Sequence, residues 1–438
     1  MEPQILGFAE ALAVVLRCAM GVRVPRVGRV ALLRAAGRVL AGPVVADRDQ
    51  PPFDRATRDG FAVRAAEWSA GETLRVVGRL RAGQAWAGGE VGLGCAIEIM
   101  TGAAVPKGAD AVAMIEHAEF ASPPVARDAT EAGRPSVVWA AAGRSLRAGE
   151  NVVPRGSEAR AGEALLAAGT TIGAAGIAVA AACGEAELSV FARPQVAIVA
   201  TGDELVEPSE KPAPQQIRNS NGYALAALVA AAGGEPVRLK IAQDTREDLR
   251  ARIEEGLAAD LLLLSGGVSA GKYDLVEEVL AEFGAEFLFT GVKMQPGRPV
   301  VFGRMRRASE AADQRASEAA GRRVSEGWTY FFGLPGNPVS TEVTFHCFVG
   351  PMLRAMGGAG AAGPGFAQAT LVEDVPAKAG LTRILPARLT HDLARPEVTL
   401  VPWQGSGDLA ANARANCYAV LPDGRDLRAR DVVTVLLR

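Results

Sequence analysis

Histidine is nearly missing from this sequence: His117, His346 and His391 are the only three in 438 residues. None stands at ligand spacing from another, which excludes a zinc site built on imidazoles and leaves imidazole acid–base chemistry to one isolated residue. Cysteine is almost as thin. Cys18, Cys95, Cys183, Cys347 and Cys417 are odd in number and scattered, with no Cys-x-x-Cys pair. Neither a disulfide framework nor a thiolate metal cluster is expected, and a reducing cytoplasm is the expected location. Lysine is scarce as well, six residues against 41 arginines. No uninterrupted apolar run reaches the ~18 residues of a membrane span. The apolar stretch ALAVVL near the start follows Glu2 and Glu10, where a signal peptide would carry positive charge, and reads instead as an amphipathic helix. A formal net charge of -2 and a pI near 6.1 supply no global basic field for nucleic acid or anionic lipid, so any anion site must be local.

What is present is the composition of an ordinary globular protein, 49% hydrophobic and 22% charged, in a chain long enough for about two to four domains. Breaks fall near residues 46, 140, 187 and 360. Between Pro51-Pro52 and about residue 140, short apolar runs alternate with Asp-Gly, Gly-Gly and Pro-Lys-Gly turns, which predicts a small β-rich domain. From about 187 the pattern changes. Val196–Ala200, Leu261–Leu264 and Phe331–Leu334 are continuous apolar runs; with Val237–Ala242, read as a further strand, they are separated by helical stretches at 221–232 and 245–258, with another helix at 338–356. That alternation predicts a central, doubly wound, mostly parallel α/β domain covered on both faces. The tract GGAGAAGPG (357–365) reads as a linker, and the remainder to Arg438 as a small β-barrel without a convincing helix. The segment 304–327, with ASEAA duplicated, reads as a charged surface insertion.

In open parallel sheets ligands bind beyond the carboxyl ends of the strands. Three successive ends here deliver acids: Asp203-Glu204, Asp244 and Asp274. With the Gly-rich turn SGGVSAG they suit a Mg²⁺ that bridges bound phosphates, since this ion takes few protein carboxylates. Asp274 with Glu277, and Asp244 or Thr245 with Asp248, also read as helix caps, and Asn221 as the cap of its helix. Pro338 at the first helical position after Asn337 predicts free backbone N–H groups at Val339, Ser340 and Thr341, an anion seat. Arg298, on the turn KMQPGRP, adds a planar fork suited to oxyanions. The stretches around Asp59-Gly60 and Thr101-Gly102 read, on physics alone, as hairpin turns.

The blocks FDRATRDGFAV, IMTGAAVPKGADAV, VATGDELVEP, IRNSNGYAL, LLSGGVSAGKYD, MQPGRPVVFG, GLPGNPVS and WQGSGDLAANARAN span nearly the whole chain. In order and spacing they resemble the MoeA-type molybdenum insertases, the molybdopterin molybdenumtransferase family, related to the C-terminal domain of gephyrin. The resemblance implies four domains: a discontinuous, elongated linking domain (1–46 with 141–186), the small β-rich domain (47–140), the α/β domain (187–357) and the C-terminal barrel (358–438). It implies insertion of molybdate into adenylylated molybdopterin with Mg²⁺-dependent release of AMP, in a cytoplasmic homodimer whose active site lies between subunits. It places the protein after a molybdopterin adenylyltransferase and before the molybdoenzymes. Asp59, Thr101 and Glu204 take catalytic positions. Asp203, Asp244, Ser265, Gly266, Gly267, Ser269, Gly271, Arg298, Ser340 and Ser406 take ligand positions, and Asp244 and Asp274 the metal. Departures from the family pattern are Ser157 and Glu158 in place of an acid pair ending in Asp, Gln295 where many members carry Lys, and Leu381 and Pro386 where arginines are common. Two other readings are the preceding adenylylation step and a non-catalytic gephyrin-like scaffold. The β domains and the PGNPVS turn speak against the former, and the presence of Asp59, Glu204, Asp244 and Asp274 against the latter.

Overall fold

The computed structural model describes residues 4–22, 25–121, 135–267, 275–306, 327–390, 392 and 395–438. The chain divides into two compact units, one made of Met1–Gly42, Ala168–Gly173 and Glu187–Arg438, the other of Pro43–Ala167 and Ala174–Ala186. Among the described residues no helix is long and apolar enough to cross a membrane. The apolar stretch near the start is the helix α1 (Phe8–Met20). Its buried residues Ala11, Val15 and Ala19 recur every fourth position and enter the core of the larger unit, flanked by the partly buried Phe8, Leu12, Val14 and Cys18, while Glu10 and Arg17 lie on the exposed side.

The smaller unit is built on a six-stranded sheet of β1 (Gly60–Val63), β2 (Leu74–Leu80), β3 (Cys95–Ile99), β4 (Ala111–Met114), β5 (Ala118–Ala121) and β6 (Val137–Ala140), in the order β4-β1-β3-β2-β6-β5. Only β2 and β3 run parallel. Gly60 is required where β1 begins. Its φ is +156°, and a Cβ there would lie 1.9 Å from the Ala113 carbonyl oxygen.

In the larger unit a second six-stranded sheet contains β7 (Gln195–Ala200), β8 (Glu235–Arg238), β9 (Leu261–Ser265), β10 (Glu286–Phe289), β11 (Val301–Arg306) and β12 (Trp328–Leu334), ordered β8-β7-β9-β12-β11-β10. The first four run parallel, and β11 is antiparallel to both its neighbours. The continuous apolar text of β9 has a simple cause. Leu261 and Leu263 face one core and Leu262 and Leu264 the other, so neither face meets water. Helices α2 (Asn221–Ala231), α3 (Arg246–Gly256) and α4 (Leu275–Glu282) make the crossovers. Pro338–Thr344 (α5) continues through a π-helical turn, Phe345–Val349, into α6 (Gly350–Met356).

The second strand is shorter and earlier than its hydrophobicity suggests. After β8 the chain bends, and Ala242 returns only as an isolated bridge to Thr201. The tract 357–365 is not a free linker, because Gly358 lies under the Phe191 ring, where a Cβ would come within 2.2 Å, and Arg354 donates to the Gly363 carbonyl. Beyond it β13 (Phe366–Leu371), β14 (Thr382–Leu389), β15 (Glu397–Leu400), β16 (Cys417–Leu421) and β17 (Val432–Leu437) close into a barrel, β14-β15-β13-β17-β16 and back to β14. Contrary to the expectation of no helix, α7 (Leu409–Arg414) follows β15, capped by the Asp408 side chain on the Ala411 N–H at 2.9 Å. A sixth strand, Met294–Gln295, comes from before β11 and pairs with Thr382–Arg383 of β14. Residues 307–326 of the expected insertion lie outside the described residues.

Candidate functional site

The carboxyl ends of β8, β7, β9 and β12 meet along one edge of the sheet. β7 stops at Thr201, whose N–H donates to the Ser265 carbonyl (3.0 Å), while the Gly202 N–H donates to the Ala242 carbonyl (3.1 Å). These bonds seat Asp203 beside Asp244, and the Asp203 carboxylate accepts the Asp244 N–H at 3.0 Å. Both acids are exposed. The helix-cap reading of Asp244 fails, because Thr245 is the cap of α3 and its hydroxyl accepts from the Asp248 N–H. The Asp244 carboxylate has no partner among the described residues. Glu204 is also exposed, with its carboxylate folded over Gly202, where a Cβ would lie 2.4 Å from Glu204 Oε2.

Gly266 and Gly267 adopt φ of +98° and +65°. A Cβ at either would run into Thr201, 2.6 Å from its carbonyl oxygen at Gly266 and 2.9 Å from Oγ1 at Gly267. The small residues are demanded first by the protein's own close packing of two strand ends, before any ligand is considered. Ser265 is buried, and its Oγ accepts from Asn221 Nδ2 at 3.0 Å. The same amide nitrogen lies 2.7 Å from the Gly336 carbonyl and 3.3 Å from Thr341 Oγ1. Asn221 is not the helix cap, a place held by Ser220. It ties the β9 turn to the turn before α5. Ser269, Gly271 and Asp274 lie outside the described residues.

The start of α5 differs from the expected row of free amides. The Val339 N–H donates to the Ser406 carbonyl (3.0 Å) and the Thr341 N–H to the Asn337 carbonyl (3.0 Å). Asn337 Nδ2 in turn donates to Ser406 Oγ at 2.8 Å. The bonds bring Ser406, from the loop between β15 and α7, onto the helix start that carries buried Ser340. Arg298 follows Gln295-Pro296-Gly297. Gly297, at φ +104°, packs against Thr344, where a Cβ would lie 2.6 Å from Cγ2, so this turn lies on the second turn of α5. The Arg298 side chain is exposed, and no described residue pairs with it.

A residue set that sequence reasoning missed joins α5 to α7. Glu342 of α5 accepts from the Arg438 guanidinium and the Asn412 amide, with His346 Nε2 at 3.7 Å. Tyr418 Oη donates to Asn412 Oδ1 at 2.9 Å. Burial alone would raise the Glu342 carboxyl, but His346, Arg438 and Asn412 outweigh it and hold it below the usual carboxylate range. Nothing short-range in the sequence signals this set, since its members are up to 96 positions apart.

In the smaller unit, Asp59 and Thr101 are brought together. The Thr101 N–H (2.6 Å) and hydroxyl (2.8 Å) both donate to Asp59 Oδ1. These bonds, the backbone one foremost, hold the Asp59 carboxyl below its ordinary value, so it is an anion at neutral pH and not a proton donor. Glu158, at a position that departs from the family pattern, pairs with Arg55 at 2.8 Å.

Asp203 and Asp244 offer the donor set that Mg²⁺ accepts, one or two carboxylates with the rest of the shell from phosphate and water. Among the described residues no three His, Cys, Asp or Glu side chains are grouped as a closed metal site. The residues fit a shared ion, not one enclosed by protein.

Three family models match in succession: MoeA N-terminal region (domain I and II) over residues 6–184, Probable molybdopterin binding domain over 197–355, and MoeA C-terminal region (domain IV) over 368–437. A molybdopterin molybdenumtransferase of Staphylococcus aureus strain MRSA252 is 33% identical, covering 93% of this chain and 90% of its own length. One from Staphylococcus epidermidis strain RP62A is 32% identical, with 92% and 88% covered. The crystal structure of the molybdopterin biosynthesis moeA protein from Pyrococcus horikoshii OT3 superposes with a TM-score of 0.73 at 26% identity, covering 99% of this chain and 100% of that one. With these three consecutive matches and relatives aligned over nine-tenths of its length, this chain belongs to the MoeA family.

Proposed function

We propose that this transferase of molybdenum cofactor biosynthesis, which inserts molybdenum into molybdopterin, takes the pterin in adenylylated form and releases AMP as molybdate enters the dithiolene. The observation that carries this reading is the shared sheet edge, where Asp203, Asp244 and Glu204 stand beside the Ser265–Gly267 turn and, through Asn221 and Asn337, beside Ser340 and Ser406. An adenylyl phosphate chain suits that edge, because it needs backbone approach at one end and a cation held by carboxylates along its length. Asp244 and Asp203, with Asp274 beyond the described residues, would hold Mg²⁺. When bound, the ion supplies charge neutralisation at the phosphates.

The chain's own groups have separable tasks in this reading. Ser265, Gly266 and Gly267, with Ser269 and Gly271, receive the pterin phosphates. Arg298, Ser340 and Ser406 receive the oxyanion. Glu204, a carboxylate without a partner among the described residues, faces the insertion centre. Asp59, fixed as an anion by Thr101, acts by charge and position. A cytoplasmic homodimer, in which Asp59 and Thr101 of one copy serve the other, belongs to the same reading, as does the four-part division with its discontinuous linking domain. So do an adenylyltransferase upstream and molybdoenzymes downstream.

The direct test supplies purified protein with adenylylated molybdopterin, Mg²⁺ and molybdate and measures AMP. Molybdate-dependent AMP release is expected, and its absence would reject the reaction. In the same assay Arg298→Ala should raise the half-saturating molybdate concentration roughly ten- to a hundredfold, because it removes a charge-assisted contact worth roughly 1.5–3 kcal/mol. An unchanged concentration dependence removes Arg298 from the oxyanion pocket.

A further inference from the structure

Lys378, one of only six lysines, lies 83 positions from Gln295, yet its Nζ donates to Gln295 Oε1 at 2.8 Å. Gln295 begins the turn that ends at Arg298, the turn laid on α5 through Gly297 and Thr344. Two features hold Lys378 in place. The strand Met294–Gln295 is paired with Thr382–Arg383, which ties the turn to the barrel just after Lys378. The residues around the lysine are also pinned, since the Ala377 N–H donates to Asp426 Oδ1 (2.7 Å) and the Gly380 N–H to Asp423 Oδ1 (2.5 Å). Both carboxylates are therefore engaged by backbone, and neither forms an ion pair with Lys378. The side chain is presented on a braced turn, not on a loose loop.

An ammonium has three N–H groups, and the Gln295 amide takes one. No carboxylate among the described residues pairs with Lys378, nor with the exposed Lys293 and Arg298 of the facing turn. A neutral amide can position an ammonium without cancelling its charge, as a carboxylate would. This arrangement keeps a full positive charge at the start of the turn that ends at Arg298.

We propose that Lys378 of the barrel, positioned by Gln295, is a second cationic contact for the oxyanion that Arg298 receives. The proposal deepens the oxyanion pocket given above and rests on that reading. A tetrahedral dianion such as molybdate carries more charge than one guanidinium neutralises, and the two cations reach it from the two strands that Met294–Gln295 and Thr382–Arg383 join. Lys378 sets how tightly the oxyanion is held. It takes no part in breaking the pterin's phosphoanhydride.

The test is a charge relocation. Lys378 is exposed, so Lys378→Gln leaves folding intact, and Gln295→Lys combined with Lys378→Gln returns the cation to the other side of the same contact. Wild type and variants are titrated with molybdate in the AMP-release assay, and with molybdate alone by calorimetry. Lys378→Gln should raise the half-saturating molybdate concentration and Kd about tenfold with kcat unchanged, an effect that shrinks as salt is added. The double variant should return both to within about threefold of wild type, whereas Gln295→Ala, which only frees the lysine, should show a smaller loss. If wild type turns over but Lys378→Gln matches it in both titrations, the assignment of Lys378 is overturned and the reaction stands. If wild type shows no molybdate-dependent turnover and no binding, the pocket and Lys378 fall together. A loss in Lys378→Gln that the double variant does not restore refutes the charge argument.

Discussion

Glu204→Ala and Asp59→Ala should each lower AMP release by roughly a hundredfold or more while leaving the thermal melt unchanged, the size of loss seen when one preorganised polar group is removed from a reacting centre. Both side chains are exposed, so neither contributes packing. Their settings differ. Asp59 is held as an anion by two bonds from Thr101, whereas Glu204 has no described partner and is oriented only by Gly202 beneath it. Asp59→Asn is therefore informative: it keeps an acceptor for the Thr101 N–H but removes the charge, and it should lose nearly as much activity as Asp59→Ala. If one copy supplies Asp59 and its partner Glu204, mixing the two inactive alanine variants should restore activity toward about a quarter of wild type, from mixed dimers with one intact centre. Unchanged turnover in both single variants would reject the site assignment. No recovery on mixing, with subunit exchange shown separately, would reject the shared centre.

Glu342→Ala should lower stability by about 3 kcal/mol, because it removes the carboxylate from the largely buried Arg438 guanidinium and leaves it only the Asn412 and Ala415 carbonyls. The loss should reach function. Asn412, released from Glu342, is part of the short helix that follows Ser406, so the molybdate requirement should rise with the fall in melting temperature. The sign with pH follows from the depressed Glu342 carboxyl. Its contribution is fully present above the ordinary carboxylate range and disappears as pH falls through the lowered value. Denaturant titrations of wild type and Glu342→Gln should thus converge in acid and separate at neutral pH. Curves separated by the same amount at both would show that packing, not charge, holds this contact.

How far the sequence reveals this molecule depends on distance along the chain. β9 and β12 are legible as strands because burial on both faces writes itself as an unbroken apolar run, and their ends identify the ligand edge. α7 escaped because six residues capped by Asp408 show less than two turns of periodicity after a Gly-rich stretch. The small residues of the β9 turn were conspicuous, but their immediate cause, Thr201, lies over sixty positions earlier. Asn221 looked like a cap because local grammar rewards that reading, whereas its side chain serves Ser265, Gly336 and Thr341. The Glu342 set and the Lys378 contact join residues that only the folded topology brings near. Asp59 and Thr101 resembled ordinary turn residues until the family motif and the bonded pair gave them another meaning.

The strand Met294–Gln295 has one more implication. A five-stranded barrel that closes on itself offers no free edge, yet this one accepts a sixth strand from the layer before it. The lobe is therefore stitched to its neighbour by main-chain bonds and by the Ser406 and Arg438 contacts, not merely leashed by the glycine tract. A protease cut at residues 360–363 would sever the covalent thread and leave the two pieces married.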